Sequence, residues 1–289
     1  MKGNDMFSVI ILTFNEEIHI ERCLKNAALI SKNIFVVDSY SSDKTIEIAK
    51  RFTNNIYQGS FVSFSSKLNW AIENLPISTP WTVRLDADEI FCDNFIEKIE
   101  SLTEIQPNDV TGIYVRRQLW FLNRWMKHGS MYPVFSLRIW KTSCISCEDR
   151  LLDEHMILKN GISITSELDI IDNPKISIKT WIQKHNGYSD SEVINLLNIV
   201  SNSDKIRAKL FTHKQEENKR YLKDKVYYKL PLFVRPFFYF FYCYIIRLGF
   251  LDGKEGFIWN VLHGFWYRFL IDVKIYEFQK NENRNNNLK

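Results

Sequence analysis

Apolar positions recur at two alternating periods along the first hundred residues. Phe7-Ser8-Val9-Ile10-Ile11-Leu12-Thr13 is a near-continuous apolar run that turns polar at its end. That is the pattern of a parallel strand covered on both faces. Asn15 then reads as a helix cap, with Glu16 and Glu17 in the first turn against the dipole. Ile20, Cys23, Leu24 and Ala27 follow on one helical face. The alternation repeats. Asn33 to Asp38 reads as a second strand, leading to a helix from near Asp43 with Ile46 and Ala49 inward. Ile56-Tyr57 is a short third strand, Phe64 to Glu73 a helix and Trp81 to Leu85 a fourth strand.

Strand–helix alternation of this kind predicts an α/β fold, a Rossmann-like and mostly parallel sheet flanked by helices. Ligands of such sheets lie outside the carboxyl ends of the strands. The polar residues at those ends are Thr13, Asn15, Glu16, Asp38, Asp43, Asp86 and Asp88, so they are expected to converge on one rim. No G-x-G-x-x-G follows the first strand and the chain has only 10 glycines, which argues against a dinucleotide-binding dehydrogenase.

Farther along, Gly112 to Leu119 and Val134 to Trp140 read as strands around an aromatic, basic segment, Trp120 to Pro133. An acidic cluster runs from Glu148 to His155, a strand pair is expected near 157–170, and helices from Ser177 to about Lys209. Phe237 to Ile246 is wholly apolar or aromatic and sits between Arg235 and Arg247. It has about half the length needed to span a bilayer. A second aromatic segment, Phe257 to Phe269, follows it. Aromatic residues flanked by Arg and Lys suit helices lying in the headgroup region of a membrane. The alternative is a buried helical pair closing the back of the domain. The polar, Asn-rich end reads as a disordered tail. The expected organisation is a domain over 1–210, a C-terminal aromatic helical appendage over 211–278, and a tail over 279–289.

Composition narrows the partners. Hydrophobic residues at 45% are enough for a sizeable core, and a net charge of +4 is too mild to argue for nucleic acid. The cysteines are 5 in number, and Cys144 and Cys147 form a lone C-x-x-C without the second pair a zinc site needs. Reduced thiols in a cytoplasmic protein are expected. The start runs directly into a strand with no signal-peptide pattern.

The chemistry concentrates in Arg84-Leu85-Asp86-Ala87-Asp88-Glu89. Two carboxylates two residues apart at a strand end suit a hard divalent cation. Mg²⁺ is commonly held by one or two protein carboxylates, with substrate phosphates completing the shell. A diphosphate such as a sugar nucleotide is the matching partner.

Thr13-Phe14-Asn15-Glu16-Glu17, Val37-Asp38-Ser39-Tyr40-Ser41-Ser42-Asp43 and Leu85-Asp86-Ala87-Asp88-Glu89 together resemble glycosyltransferase family 2 in order and spacing. The resemblance implies a GT-A fold, a nucleoside-diphosphate sugar donor, Mg²⁺ or Mn²⁺, and inversion at the anomeric centre. Arg138 in its strand, Cys147 to His155, Lys184 to Tyr188 and Leu248 to Gly256 are similar to enzymes of the lipopolysaccharide-core glucosyltransferase type and their capsule and exopolysaccharide relatives. Those relatives imply a cell-surface glycan or lipid-linked acceptor, and the aromatic, basic C-terminal segment adds an expected peripheral contact with the cytoplasmic face of the plasma membrane. The chain departs from the lipopolysaccharide-core type at Leu152-Asp153-Glu154, where Val-His-Glu is usual. It lacks the Q-x-x-R-W of processive synthases, because Gln118 and Arg124-Trp125 are too far apart and precede the acidic cluster.

Under that resemblance Asp88 binds the cation, and Asp86 lies near the ribose or behind the metal. Asp38 accepts hydrogen bonds from ribose hydroxyls or a base N–H, or else closes a turn, Asp43 being the better cap. Thr13 and Glu16 flank the base, or Glu16 serves only the helix dipole. Lys67 reaches the diphosphate or is an exposed helix lysine. The general base for the acceptor hydroxyl is Glu154, then Asp153, then Asp149, with Glu148 also available. Alternatively the acidic cluster only pairs with Arg116, Arg117, Arg138 or Arg150. Two other functions compete: a nucleotidyltransferase, which would carry a basic Gly-rich loop where this chain is acidic, and a catalytically silent scaffold at a membrane surface.

Overall fold

The computed structural model describes residues 6–148, 156–201 and 227–287. The chain divides into two compact units. Among the described residues, one holds those up to Lys175 apart from Met126–Ser130, and the other holds that segment and those from Ile176 on. The domain boundary expected at 210 falls outside the described residues.

The first unit is built on one sheet. Its strands are β1 (Phe7–Thr13), β2 (Asn33–Asp38), β3 (Ile56–Gln58), β4 (Trp81–Asp86), β5 (Glu89–Phe91), β6 (Val110–Phe121), β7 (Arg124–Trp125), β8 (Val134–Lys141) and β11 (Ile162–Asp172). The spatial order is β3-β2-β1-β4-β8-β6-β11-β5, with β7 paired to β6. The half β3-β2-β1-β4 is wholly parallel, while β8 runs antiparallel to both its neighbours. A separate ribbon joins β9 (Ile145–Cys147) to β10 (Met156–Leu158). The two strands expected near 157–170 are therefore present but not partners, since β11 pairs with β6 and β5.

The continuous apolar reading of β1 has a direct cause. Successive side chains of a strand point to opposite faces. Val9 and Ile11 pack with Ile20, Cys23 and Leu24 of α1 (Ile20–Ala27), while Ile10 and Leu12 pack with Leu68 and Ala71 of α3 (Phe64–Asn74). Both faces are covered, so neither alternates to polar. Helix α3 begins at a reciprocal cap, in which Ser66 N–H donates to Ser63 Oγ at 3.1 Å and Ser63 N–H to Ser66 Oγ at 3.0 Å. Helix α2 is short (Thr45–Ala49), and α4 (Asp93–Glu104) brings Phe95 and Ile99 to the core.

Gly161 lies at the turn before β11, with φ +72°. A Cβ there would stand 2.5 Å from the Asp109 carbonyl oxygen. Ile162 N–H donates to that same oxygen at 2.8 Å, so it is held in place. Gly161→Ala should cost about 2–3 kcal/mol through the left-handed backbone and the contact with main chain. A fall in urea midpoint at unchanged m-value checks this.

The second unit is helical. Helix α5 (Ile178–Ser201) is followed after the undescribed stretch by α6 (Arg235–Phe241), which runs into a π-helical segment, Tyr242–Ile246. Next come α7 (Gly253–Trp259), a second π-helical segment (Asn260–Trp266) and α8 (Tyr267–Asn287). Val193, Tyr267, Ile271 and Ile275 form its core. Arg235 is buried on Asp272, whose Oδ1 accepts from Nε at 2.7 Å. The Asn-rich end read as a disordered tail is helical to Asn287, because extending a nucleated helix adds a hydrogen bond for each residue fixed. All five cysteines are free thiols.

Candidate active site

The chain steps from β1 to β2 to β3 in one direction and then returns to place β4 on the other side of β1. This is the switch point at which open α/β sheets form a crevice. Thr13 pairs with Asp38 and Leu12 with Asp86, so the ends of three strands lie side by side.

Two loops at this edge are tied together through their polar residues. Asn15 N–H donates to Ser41 Oγ at 2.8 Å, and Asn15 Oδ1 accepts from Ser42 N–H at 2.8 Å. Glu16 N–H donates to Thr45 Oγ1 at 2.8 Å, and Glu17 N–H to Asp43 Oδ2 at 3.1 Å. Asn15 is thus not the helix cap its position suggested. Its φ is +54°, a conformation asparagine tolerates, and α1 begins only at Ile20 after a turn closed on Glu16. Asp43 also accepts from Thr45 N–H at 2.9 Å just before α2. The Asp38 carboxylate is buried and closes its own turn, accepting from Ser41 N–H at 2.8 Å and from Gln58 Nε2 at 2.9 Å.

Glu16 is oriented by a residue that sequence reasoning passed over. Buried His19 accepts Lys175 N–H on Nε2 at 2.9 Å. Its proton is therefore on Nδ1, which donates to Glu16 Oε2 at 2.5 Å. Its spacing of three from Glu16 was the available signal.

At the end of β4 the two aspartates have opposite surroundings. Asp86 is gripped by Arg84, with Nε to Oδ1 at 3.2 Å and Nη2 to Oδ2 at 3.1 Å, and by Arg138 Nη2 at 3.1 Å. The two guanidiniums outweigh its burial and hold its carboxyl well below the usual range. Arg138 also donates to Glu89 at 2.6 Å. Asp88 has no cationic side-chain partner among the described residues. Burial, and then the carboxylates of Asp172, Glu89, Asp86 and Glu16, push its carboxyl well above the ordinary value. Arg22 Nη2 donates to the Asp88 carbonyl at 2.7 Å and so fixes its backbone.

Lys67 is not an exposed helix lysine. It is buried, and its Nζ donates to the Thr13 carbonyl at 2.6 Å. Burial lowers its pKa to about 8 against the opposing pull of Asp38, Asp86 and Glu16. Thr13 Oγ1, also buried, has no hydrogen-bond partner among the described residues. Two residues along α3, Asn69 clasps the Cys147 backbone, donating to its carbonyl at 2.9 Å and accepting its N–H at 2.7 Å.

Thr13, Asn15, Glu16, Asp38, Asp43, Lys67, Asp86 and Asp88 are thus gathered at one edge by strand pairing and loop hydrogen bonds. Asp149, Asp153 and Glu154 lie outside the described residues. The arginines considered as partners for that cluster have other acidic partners: Arg116 pairs with Asp169, Arg117 with Asp172, and Arg138 with Asp86 and Glu89. Among the described residues no three His, Cys, Asp or Glu side chains form a metal cage. The donor set at Asp88 fits instead a cation that takes only one or two ligands from protein.

An uncharacterized glycosyltransferase of Rickettsia typhi is 24% identical over 272 residues, 93% of this chain and 86% of the relative. Another from Rickettsia conorii is 22% identical over 281 residues, 94% of this chain and 90% of its own length. Among solved structures, S. aureus TarS 1-349 in complex with UDP-GlcNAc aligns over 96% of this chain and 92% of that one, at 12% identity and a TM-score of 0.47. The model of glycosyl transferase family 2 matches residues 8–152. The matched span runs from the first strand into the acidic cluster, stopping before Asp153, and takes in every strand end that forms the rim. It covers half of the chain, which therefore belongs to glycosyl transferase family 2.

Proposed function

We propose that this glycosyltransferase moves a sugar, with inversion, from a nucleoside-diphosphate sugar to a hydroxyl of a cell-surface glycan or lipid-linked glycan precursor, working as a peripheral protein at the inner face of the plasma membrane. The observation that carries the donor half is that Asp88, a carboxylate with no cationic side-chain partner among the described residues, ends β4 at the same sheet edge where the buried ammonium of Lys67 donates to the Thr13 carbonyl. A divalent cation would supply the positive charge that Asp88 lacks, and its diphosphate would accept from Lys67.

In this reading the nucleoside half lies over Thr13, Glu16 and the turn closed by Asp38, with Thr13 Oγ1 gaining the partner it lacks within the described chain. Asp88 would hold Mg²⁺ or Mn²⁺ with Asp86 behind it, and the cation when bound supplies Lewis-acid neutralisation of the leaving diphosphate. Lys67 faces the same phosphates. The acceptor oxygen bonds to the anomeric carbon as the carbon–oxygen bond to the diphosphate breaks, and its proton passes to a carboxylate. Glu154 is our choice for that base, followed by Asp153 and Asp149. Asn69, by holding Cys147, anchors the chain just before this acidic segment. The acceptor class rests on the resemblance of the downstream segments and on the exposed aromatic residues of the second unit.

The first test is thermal. UDP or GDP with Mn²⁺ should raise Tm, by an amount corresponding to about 2.7 kcal/mol at a hundredfold excess over Kd, and neither component alone should do so. No shift with any combination would overturn the donor assignment. A second test reads Lys67 directly. A phosphate beside an ammonium with a pKa of about 8 raises that pKa, so nucleotide binding at pH 8 should take up a fraction of a proton. Calorimetry in buffers of different ionisation enthalpy should detect the uptake in wild type and not in Lys67→Met.

A further inference from the structure

The second unit presents an apolar face that its own core does not use. Phe237, Phe238, Phe241, Tyr242, Ile245 and Ile246 are all exposed, between 40% and 59%. They follow one another at i, i+1, i+4, i+5, i+8 and i+9, which places them on one side of α6 and its π-helical continuation. The other side does the packing, with Arg235, Pro236 and Cys243 buried. Past the helix, Leu248, Phe250, Leu251, Phe257 and Ile258 are exposed as well. Apolar side chains massed in this way mark an interaction surface, whereas scattered single ones do not.

Charge identifies the occupant. Between residues 229 and 258 the exposed charged side chains are Lys229, Arg247 and Lys254, all basic. The acidic residues of the stretch are withdrawn: Asp252 is buried, accepting from His128 N–H at 2.8 Å and bonded to its Nδ1 at 2.7 Å, and Glu255 is half-buried. An anionic lipid surface matches both features, since aromatic side chains sit at the headgroup level and each basic group adds attraction to it. No helix among the described residues is long and apolar enough to cross a membrane. A cavity of about 450 Å³ lined by Tyr244, Phe250, Lys254, Phe257 and Ile258 combines the same apolar and basic chemistry.

We infer that the Phe237–Ile246 face, with Arg247 and Lys254 beside it, seats the second unit in the headgroup layer of an anionic bilayer. This deepens the proposed peripheral attachment, but its argument is independent of the donor site. The test is sedimentation of the full chain with vesicles of phosphatidylcholine, alone or with phosphatidylglycerol. Wild type should bind the anionic vesicles at least about tenfold more than the neutral ones, and high salt should weaken the binding. Phe238→Ser/Ile246→Ser should reduce binding about tenfold or more, and Arg247→Gln/Lys254→Gln should abolish the preference for anionic lipid. Exposed side chains were chosen so that both variants fold, with wild-type melting as the control. Both should also keep the thermal response to nucleotide and Mn²⁺, which separates failure here from failure of the donor reading. Wild type left in the supernatant with both vesicles would overturn the inference, as would serine variants that sediment like wild type. A solution dimer that the serine pair dissociates, without lipid binding, would make a second copy the occupant and overturn it too.

Discussion

Replacing Asp88 by asparagine is expected to lower turnover by about 10²–10³-fold while leaving the ligand-free protein at least as stable as wild type. The two halves of this result have one cause. Asp88 stands among Asp172, Glu89, Asp86 and Glu16 with no cationic side chain of its own among the described residues. Its folded-state pKa is raised, so the folded protein holds more protons than the unfolded chain over the titration. Its contribution to stability therefore falls as pH rises. Asparagine keeps the shape and removes that penalty, so the variant should melt at or above wild type at pH 8, with the difference closing toward pH 4. Turnover moves the other way because the carboxylate is needed when the diphosphate leaves. The Mn²⁺-dependent thermal shift with UDP or GDP should vanish in the same variant. Unchanged turnover would remove Asp88 from the site. A large loss of stability in the metal-free state would mean that the carboxylate is a structural partner.

The strand ends were legible because β1, β2 and β4 are local runs with a strong apolar signal, and parallel pairing aligns their carboxyl ends. What each polar residue does at that edge was less legible, because it depends on partners distant in sequence. Asn15 reads as a cap from its neighbours, yet its bonds go to Ser41 and Ser42 on the next loop. Lys67 follows two serines on a helix and reads as solvated, but the Thr13 carbonyl and three carboxylates draw it inward. Asp86 and Asp88 look equivalent in the sequence. They are separated by Arg138, which arrives from a strand inserted antiparallel beside β4. No local pattern announces that insertion. The choice of base within the acidic segment rests on resemblance alone, and the described contacts flanking it are Asn69 at Cys147 and the pairing of Cys147 with Met156.

The loop ties also explain why so many polar residues are needed where few can touch a ligand. Asn15, Ser41, Ser42, Asp43 and Thr45 direct their hydrogen bonds to one another, to the Asp38 carboxylate or to neighbouring backbone. They leave Glu16 backed by His19 and Thr45. A crevice formed by backbone held in this way keeps its shape before a charged substrate arrives, and preorganised groups contribute most to transition-state stabilisation.

Arg138→Leu should be the most destabilising single change at this edge, by about 3–5 kcal/mol, which is a fall in Tm on the order of 10 °C. Arg138 and Glu89 are 3% and 2% exposed at their side chains, and Arg138 also holds Asp86. Removing the guanidinium strands Glu89 in a poorly hydrated place that already contains Asp88 and Asp172, and leaves Asp86 with Arg84 alone. Burial pushes Glu89 up to about 7 even with Arg138 present, and without it the value climbs further. A raised carboxyl pKa means that the folded state binds the extra proton. The variant's deficit should therefore grow as pH rises through neutrality and shrink toward pH 5. Urea midpoints at pH 5.5 and pH 8 for wild type and variant measure this directly. Pairing the change with Glu89→Gln should restore part of the loss, since the stranded charge is gone. An equal deficit at both pH values, with no recovery in the double variant, would mean that lost packing dominates. Arg138 would then be a filler of the core and not the counter-charge that distinguishes Asp86 from Asp88.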